Sequence, residues 1–211
     1  MQKPLILRSL KLHAKTLASD CPHLAKVYDL YGAPPLWDRP EGFQTLLQII
    51  LEQQVSLASA KACFDKLCDR VGTVTPESLL RSSDAQLKKD GFSRQKTSYA
   101  RHLAEAVLEK RIDFDALLKL SDGDVKAELT KLKGVGEWTS DIYLLMVMLR
   151  PDVMPKGDVA LHTAWHKLSG EPRPSSDEFL IIAERWKPYR SVAARFLWYF
   201  YLSEKRRAEP N

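Results

Sequence analysis

Apolar residues recur at three- and four-residue spacing along most of the chain, as they do in helices that bury one face. Phe43, Leu46, Leu47, Ile50 and Leu51 form the first such row. After a break at Val55-Ser56 the pattern resumes over Leu57 to Val71, with Ser56 placed to cap it. Thr75-Pro76 reads as an N-cap followed by proline in the first turn, where a missing N–H costs nothing. Arg94 to Lys110 alternates charges around an inward row of Tyr99, Leu103, Ala106 and Val107. Further helices are expected over Asp124 to Leu132, capped by Ser121 or Asp122, over Glu137 to Leu149, and over Val159 to Ser169. Ser175-x-x-Glu178 is a capping box ahead of Phe179, Ile181 and Ile182. The last helix, Ser191 to Glu204, is rich in aromatic residues and ends in the basic tail Lys205-Arg206-Arg207. No stretch alternates with period two over the length of a strand, so the expected fold class is all-α. Residues 41–152 read as a central bundle, while the pattern alone does not show whether residues 1–40 and 153–211 join as a terminal lobe.

Composition narrows the function only a little. With 211 residues, 45% of them hydrophobic, the chain can bury a substantial core. No apolar run reaches the roughly 18 residues of a membrane span, and Met1 to Leu12 lacks the apolar core of a signal peptide. The expectation is a protein inside the cell, in cytoplasm or nucleoid if bacterial and in the nucleus if eukaryotic. Cys21, Cys63 and Cys68 are too few, and too poorly spaced, for a disulfide framework or a thiolate metal site. A net charge of +5 and a pI near 9.0 suit a partner that carries phosphates, without singling one out.

The stretch LKGVGEWTS, Leu132 to Ser140, changes the picture. It puts Gly134, Val135 and Gly136 in a tight turn between two helices. Glycine there permits a positive φ and a close approach by another backbone. The first amides of the second helix lack partners within the helix and lie at its positive end, a ready phosphate site. Such a grip reads no bases. A lone GxG is more often a simple turn, so its surroundings decide.

LKGVGEWTS resembles the hairpin of the helix-hairpin-helix DNA glycosylases, and Asp158 falls where that superfamily carries its catalytic aspartate. LEQQVSLASA, Leu51 to Ala60, is similar to the family's loop that enters the duplex. RWKPYRSVAARFLWYF, Arg185 to Phe200, looks like the C-terminal helix of the DNA-3-methyladenine glycosylase II branch, in a short form without an N-terminal β domain. The resemblance spans about Arg39 to Leu202 and places the helix-hairpin-helix at about 124–149. It implies two closely packed helical lobes with the active-site cleft between them.

The same resemblance implies roles for residues. Bifunctional members carry a lysine nucleophile where this chain has Trp138, so no Schiff base is expected and the protein would be monofunctional. Asp158 would stabilise the cationic sugar as the N-glycosidic bond breaks, and would also cap the helix after it. Trp138 and Trp198 would wall the base pocket, with Ile142 where the family has a tyrosine and Tyr143 beside it. Gln54 would fill the gap left by a flipped nucleotide, with Gln53 next to it; the plainer alternative for both is an exposed helix end. Lys133, Gly134, Val135, Gly136, Thr139 and His162 would meet DNA backbone. His162 and His166 stand four apart, but nothing nearby completes a metal site, so no side-chain metal and no cofactor are expected. A monovalent cation on the carbonyls of Thr130, Leu132 and Val135 is the exception the family allows. The implied partner is double-stranded DNA with damaged bases, bound by a monomer; the implied reaction is release of alkylated purines such as 3-methyladenine and 7-methylguanine. A glycosylase of another specificity, a non-catalytic DNA-binding module and a helical adaptor remain open on the sequence.

Overall fold

The computed structural model describes residues 3–208, and among them there are helices and no strands. In chain order they are α1 (Leu7–Asp20), α2 (Pro22–Tyr31), α3 (Phe43–Glu52), α4 (Leu57–Val71), α5 (Pro76–Arg81) and α6 (Asp84–Asp90). There follow α7 (Arg94–Leu108), α8 (Phe114–Leu117), α9 (Asp122–Leu129) and α10 (Glu137–Met146). The chain closes with α11 (Val159–Ser169), α12 (Ser176–Ala183), a 3₁₀ turn at Glu184–Trp186, and α13 (Arg190–Ala208). None is long and apolar enough to cross a membrane.

The starts of these helices are local chemistry. Ser56, Thr75, Ser83, Ser93, Ser121 and Ser175 each take the amide of N3 onto their own hydroxyl. α7, α9 and α10 stop short of their expected ends, α9 at Leu129, while α13 runs past Glu204 to Ala208. Lys110 adopts a left-handed φ of 55°, so α7 stops at Leu108. Leu149 does the same at 53° and α10 stops at Met146, where the Leu149 carbonyl accepts the amide of Leu5.

Two compact units result, residues 39–143 and residues 1–38 with 144–211. In the first, α3 packs against α4 and α7, and α5 and α6 pack against α7. Phe43, Leu46, Leu47, Ile49, Ile50 and Leu51 are all buried, so α3 is enclosed on more than the single apolar face its spacing predicts. In the second, α13 lies against α11, α2 and α1. From Ser191 to Trp198 every residue of α13 is buried, and Ala193 and Ala194 let neighbours come close. Arg195 is fully enclosed there and donates to the carbonyls of Leu36, Leu145 and Ser191. Burial lowers its pKa to about 10, against the opposing pull of Asp38. The bonds from Arg195 to Leu145 and from Leu5 to Leu149 explain why the second crossing between units lies inside α10 and not after residue 152.

Candidate functional site

In the unit that carries both chain ends, Gly157 takes a φ of 75° and turns the backbone into Asp158, the N-cap of α11. Asp158 Oδ1 accepts the amides of Ala160 and Leu161, each at 3.0 Å, and the indole Nε1–H of Trp198 at 3.3 Å. Only 8% of Asp158 and 8% of Trp198 is exposed. Three donors on one oxygen set the carboxylate and the indole as a pair, and the positive end of α11 favours the negative charge. Asp158 and Trp198 are thus brought together although 40 residues separate them.

One turn on, His162 departs from expectation. It is 4% exposed, its ring centroid lies 4.8 Å from that of Phe179, and its Nε2 has no hydrogen-bond partner. Burial holds its pKa below the ordinary value, Arg173 pushes the same way, and Asp158 opposes both. Leu161, His162, Ala164 and Trp165 form the inward side of α11, so this imidazole cannot serve as a surface contact to phosphate. His166 is exposed and paired with the Glu171 carbonyl, so the two histidines do not act as one ligand pair. Among the described residues no group of three or more His, Cys, Asp or Glu is placed to hold a metal ion.

In the other unit, α9 and α10 are joined through the Gly-Val-Gly turn. The buried Asp141 carboxylate on α10 meets Lys126 Nζ on α9 at 2.5 Å, a charge pair that ties the two helices together. The two glycines serve different ends. Gly134 has a φ of 86°, and a Cβ built there would fall 2.2 Å from Cγ of Tyr99, whose half-buried ring lies over the turn. Gly136 has no left-handed φ, and nothing lies within 4 Å of where its Cβ would be. Only Gly136 presents open space. Val135 is buried and spends its amide on the Leu132 carbonyl, so its N–H is not available to a phosphate. That bond also engages one of the three carbonyls expected at a monovalent cation. Lys133 is exposed and donates to Ser98 Oγ at 2.9 Å.

Gln53 and Thr139 are bonded to one another within the fold. Gln53 Nε2 donates to the Gly134 carbonyl and to Thr139 Oγ1, both at 2.8 Å. Thr139 is 2% exposed. Thr139 is enclosed and Gln53 half-buried, and each holds the other. Gln54, the next residue, is exposed with a φ of 58°, a conformation rare for a side chain of its type. Val55 and Leu57 beyond it are 44% and 53% exposed, an unusual surface for apolar residues.

Trp138, the second residue of α10, is half-buried. Ile142 and Tyr143 are 2% and 0% exposed, because residues 139–145 of α10 are buried on every side. The Tyr143 ring lies 6.3 Å from Phe114, and burial, then Glu41, raises its hydroxyl pKa. Tyr143 is a core residue of its unit rather than a pocket wall. The sequence pattern missed Tyr99 as the cover of Gly134, Lys96 as the donor to the Leu51 carbonyl, and Arg195 as a buried clamp. Nothing in the spacing of those residues marks them.

The family model for HhH-GPD superfamily base excision DNA repair proteins matches residues 47–188. The chain is 29% identical over 162 residues to an alkylbase DNA glycosidase-like protein of Schizosaccharomyces pombe, covering 74% of this chain and 76% of that one. Among solved structures, a DNA-3-methyladenine glycosidase from Bacillus halodurans superposes with a TM-score of 0.74 at 32% identity, over 92% of this chain and 91% of the other. A 3-methyladenine DNA glycosylase of Schizosaccharomyces pombe in complex with abasic DNA shares the fold, with a TM-score of 0.81 at 24% identity over 90% and 95% of the two chains.

Proposed function

This chain belongs to the HhH-GPD superfamily of base excision DNA repair proteins, and on that premise we propose that it is a monofunctional DNA glycosylase that releases alkylated purines from duplex DNA. The observation that carries the reading is the Asp158 carboxylate, held by two α11 amides and the Trp198 indole. The bond from C1′ to the purine nitrogen breaks with its electron pair leaving on the base. For a cationic base such as 3-methyladenine this yields a neutral purine, so no strong acid is needed. The sugar left behind is oxocarbenium-like, and Asp158 stabilises that charge electrostatically. Water then adds its oxygen to C1′ and loses a proton, which gives an abasic site.

Trp198, beside the carboxylate, would offer an indole face to a positively charged base, and the family resemblance gives Trp138 the same role. Trp138 stands where an amine nucleophile would be needed for strand cleavage, so the reaction stops at the abasic site. Gly136 and the first turn of α10 would meet DNA backbone, and Gln54 would fill the place of the flipped nucleotide. A monovalent cation, if held by the carbonyls of Thr130, Leu132 and Val135, would add a positive centre beside that backbone. The protein acts as a monomer inside the cell.

The test is direct. Duplex treated with a methylating agent is incubated with the protein, and 3-methyladenine and 7-methylguanine should appear as free bases while strands stay intact. Failure to release any base would sink the reading. A covalent protein–DNA adduct trapped by borohydride would show that the chemistry uses an amine after all.

A further inference from the structure

We infer that Gln53 is a positioning residue, a latch that fastens the loop of residues 53–56 to the hairpin so that Gln54 and Val55 stand ready to enter a duplex. This rests on the glycosylase reading above. The loop begins where α3 ends, and two side chains, those of Lys96 and Gln53, brace it there. Lys96 Nζ donates to the carbonyl of Leu51, one of the carbonyls that the end of α3 leaves without a helical partner. Two residues on, Gln53 Nε2 donates to the Gly134 carbonyl and to Thr139 Oγ1. A primary amide carries two N–H donors, and both are used on the hairpin.

The next residue carries the consequence. Gln54 is exposed at a φ of 58°, which is strained for a residue with a Cβ and persists only where its surroundings hold it. Val55, 44% exposed, continues the loop outward. Lys96 and Tyr99 share α7, and the Tyr99 ring closes over Gly134, so α7 braces both the loop and the turn it is tied to. A grip on backbone at Gly136 therefore fixes where the Gln54–Val55 tip lies. The work of Gln53 is to hold that tip during base flipping, not to touch DNA.

The test uses Gln53→Met, which keeps the length of the side chain and removes both donors, with Thr139→Val as an independent lesion of the same latch and Thr139→Ser as its conservative control. Melting temperatures verify folding. The first readout is the single-turnover excision of 3-methyladenine from two duplexes, one fully paired and one with the lesion opposite an abasic site, where extrusion costs less. Gln53→Met should lose about 10- to 100-fold on the paired duplex and far less on the other, because the deficit lies in the few kcal/mol of unstacking and unpairing. Thr139→Val should show a smaller loss of the same kind, and Thr139→Ser should behave like the parent protein. Affinity for undamaged duplex should not change. An equal loss on both duplexes, or none, overturns the latch.

A second readout needs no excision: fluorescence of 2-aminopurine placed next to the lesion, which rises when the stack is opened. If the parent protein raises the fluorescence yet releases no base, the glycosylase reading fails, and the latch is judged by whether Gln53→Met abolishes the rise. If the parent protein raises no fluorescence, the loop opens no stack and the latch is refuted.

Discussion

Replacing Asp158 with asparagine separates the charge of this side chain from its placement. The amide oxygen of the new side chain could still accept from Ala160 N, Leu161 N and Trp198 Nε1, the three donors that now converge on Oδ1. Asparagine is as good an N-cap as aspartate, so the start of α11 keeps its cap and loses a negative charge at the positive end of the helix, about 0.3–1 kcal/mol. For a chain of this length that lowers Tm by about 1–4 °C. The reaction loses a preorganised charge opposite the developing cation, on the order of 10²–10³ in rate or about 3–4 kcal/mol. Alanine is a poorer choice. It removes the cap, about 1 kcal/mol, and strands the buried indole N–H of Trp198 at about 1–3 kcal/mol, so lost activity could reflect lost structure. The assay is single-turnover release of 3-methyladenine at saturating protein, alongside thermal melting of the same preparation. Asp158→Asn should melt near the parent and excise at least about 10²-fold more slowly. A well-folded variant with near-parent rates would refute the electrostatic role.

The hairpin glycines should separate in the same manner. Gly136→Asp, placed in open space, should keep its melting temperature and weaken binding to damaged and undamaged duplex alike, with a shallower salt dependence; unchanged affinity in filter binding would refute the backbone grip. Gly134→Ala must adopt a φ of 86° and displace the Tyr99 ring, so it should destabilise by several kcal/mol, at the upper end for a single substitution, in a denaturant titration. His162 is a source of acid sensitivity. Its folded pKa lies below the ordinary 6.5, so the unfolded chain binds the proton more readily; stability is intact above that value and declines as pH falls through 6.5 toward the lowered folded pKa. His162→Leu should therefore lose less Tm than the parent between pH 7.5 and 5.5, and equal losses would contradict the assignment. Finally, cationic lesions such as 7-methylguanine should be excised faster than neutral hypoxanthine in matched duplexes, since the indoles attract charge and the cation leaves readily. Equal single-turnover rates would remove the charge argument.

Helices and their starts were legible in the chain alone. A helix needs only a 3.6-residue apolar period and a cap within three or four positions, and both are written locally, as Ser56, Thr75, Ser175 and Asp158 illustrate. The family resemblance singled out Asp158 for the chemistry and Trp198 for the base pocket, and the structure joins the two by a hydrogen bond. Burial and long-range pairing came instead from the packing of the folded chain. Gln53 finds its acceptors 81 and 86 residues away, and no local pattern distinguishes a glutamine that will bridge a hairpin from one at an exposed helix end. His162 and Thr139 read as polar and available, but each sits on the side of its helix that packing claims, where the gain from burying neighbouring apolar surface sets which way the helix turns. The two hairpin glycines look alike in the chain; one is demanded by the Tyr99 ring and a left-handed backbone, and the other faces open space.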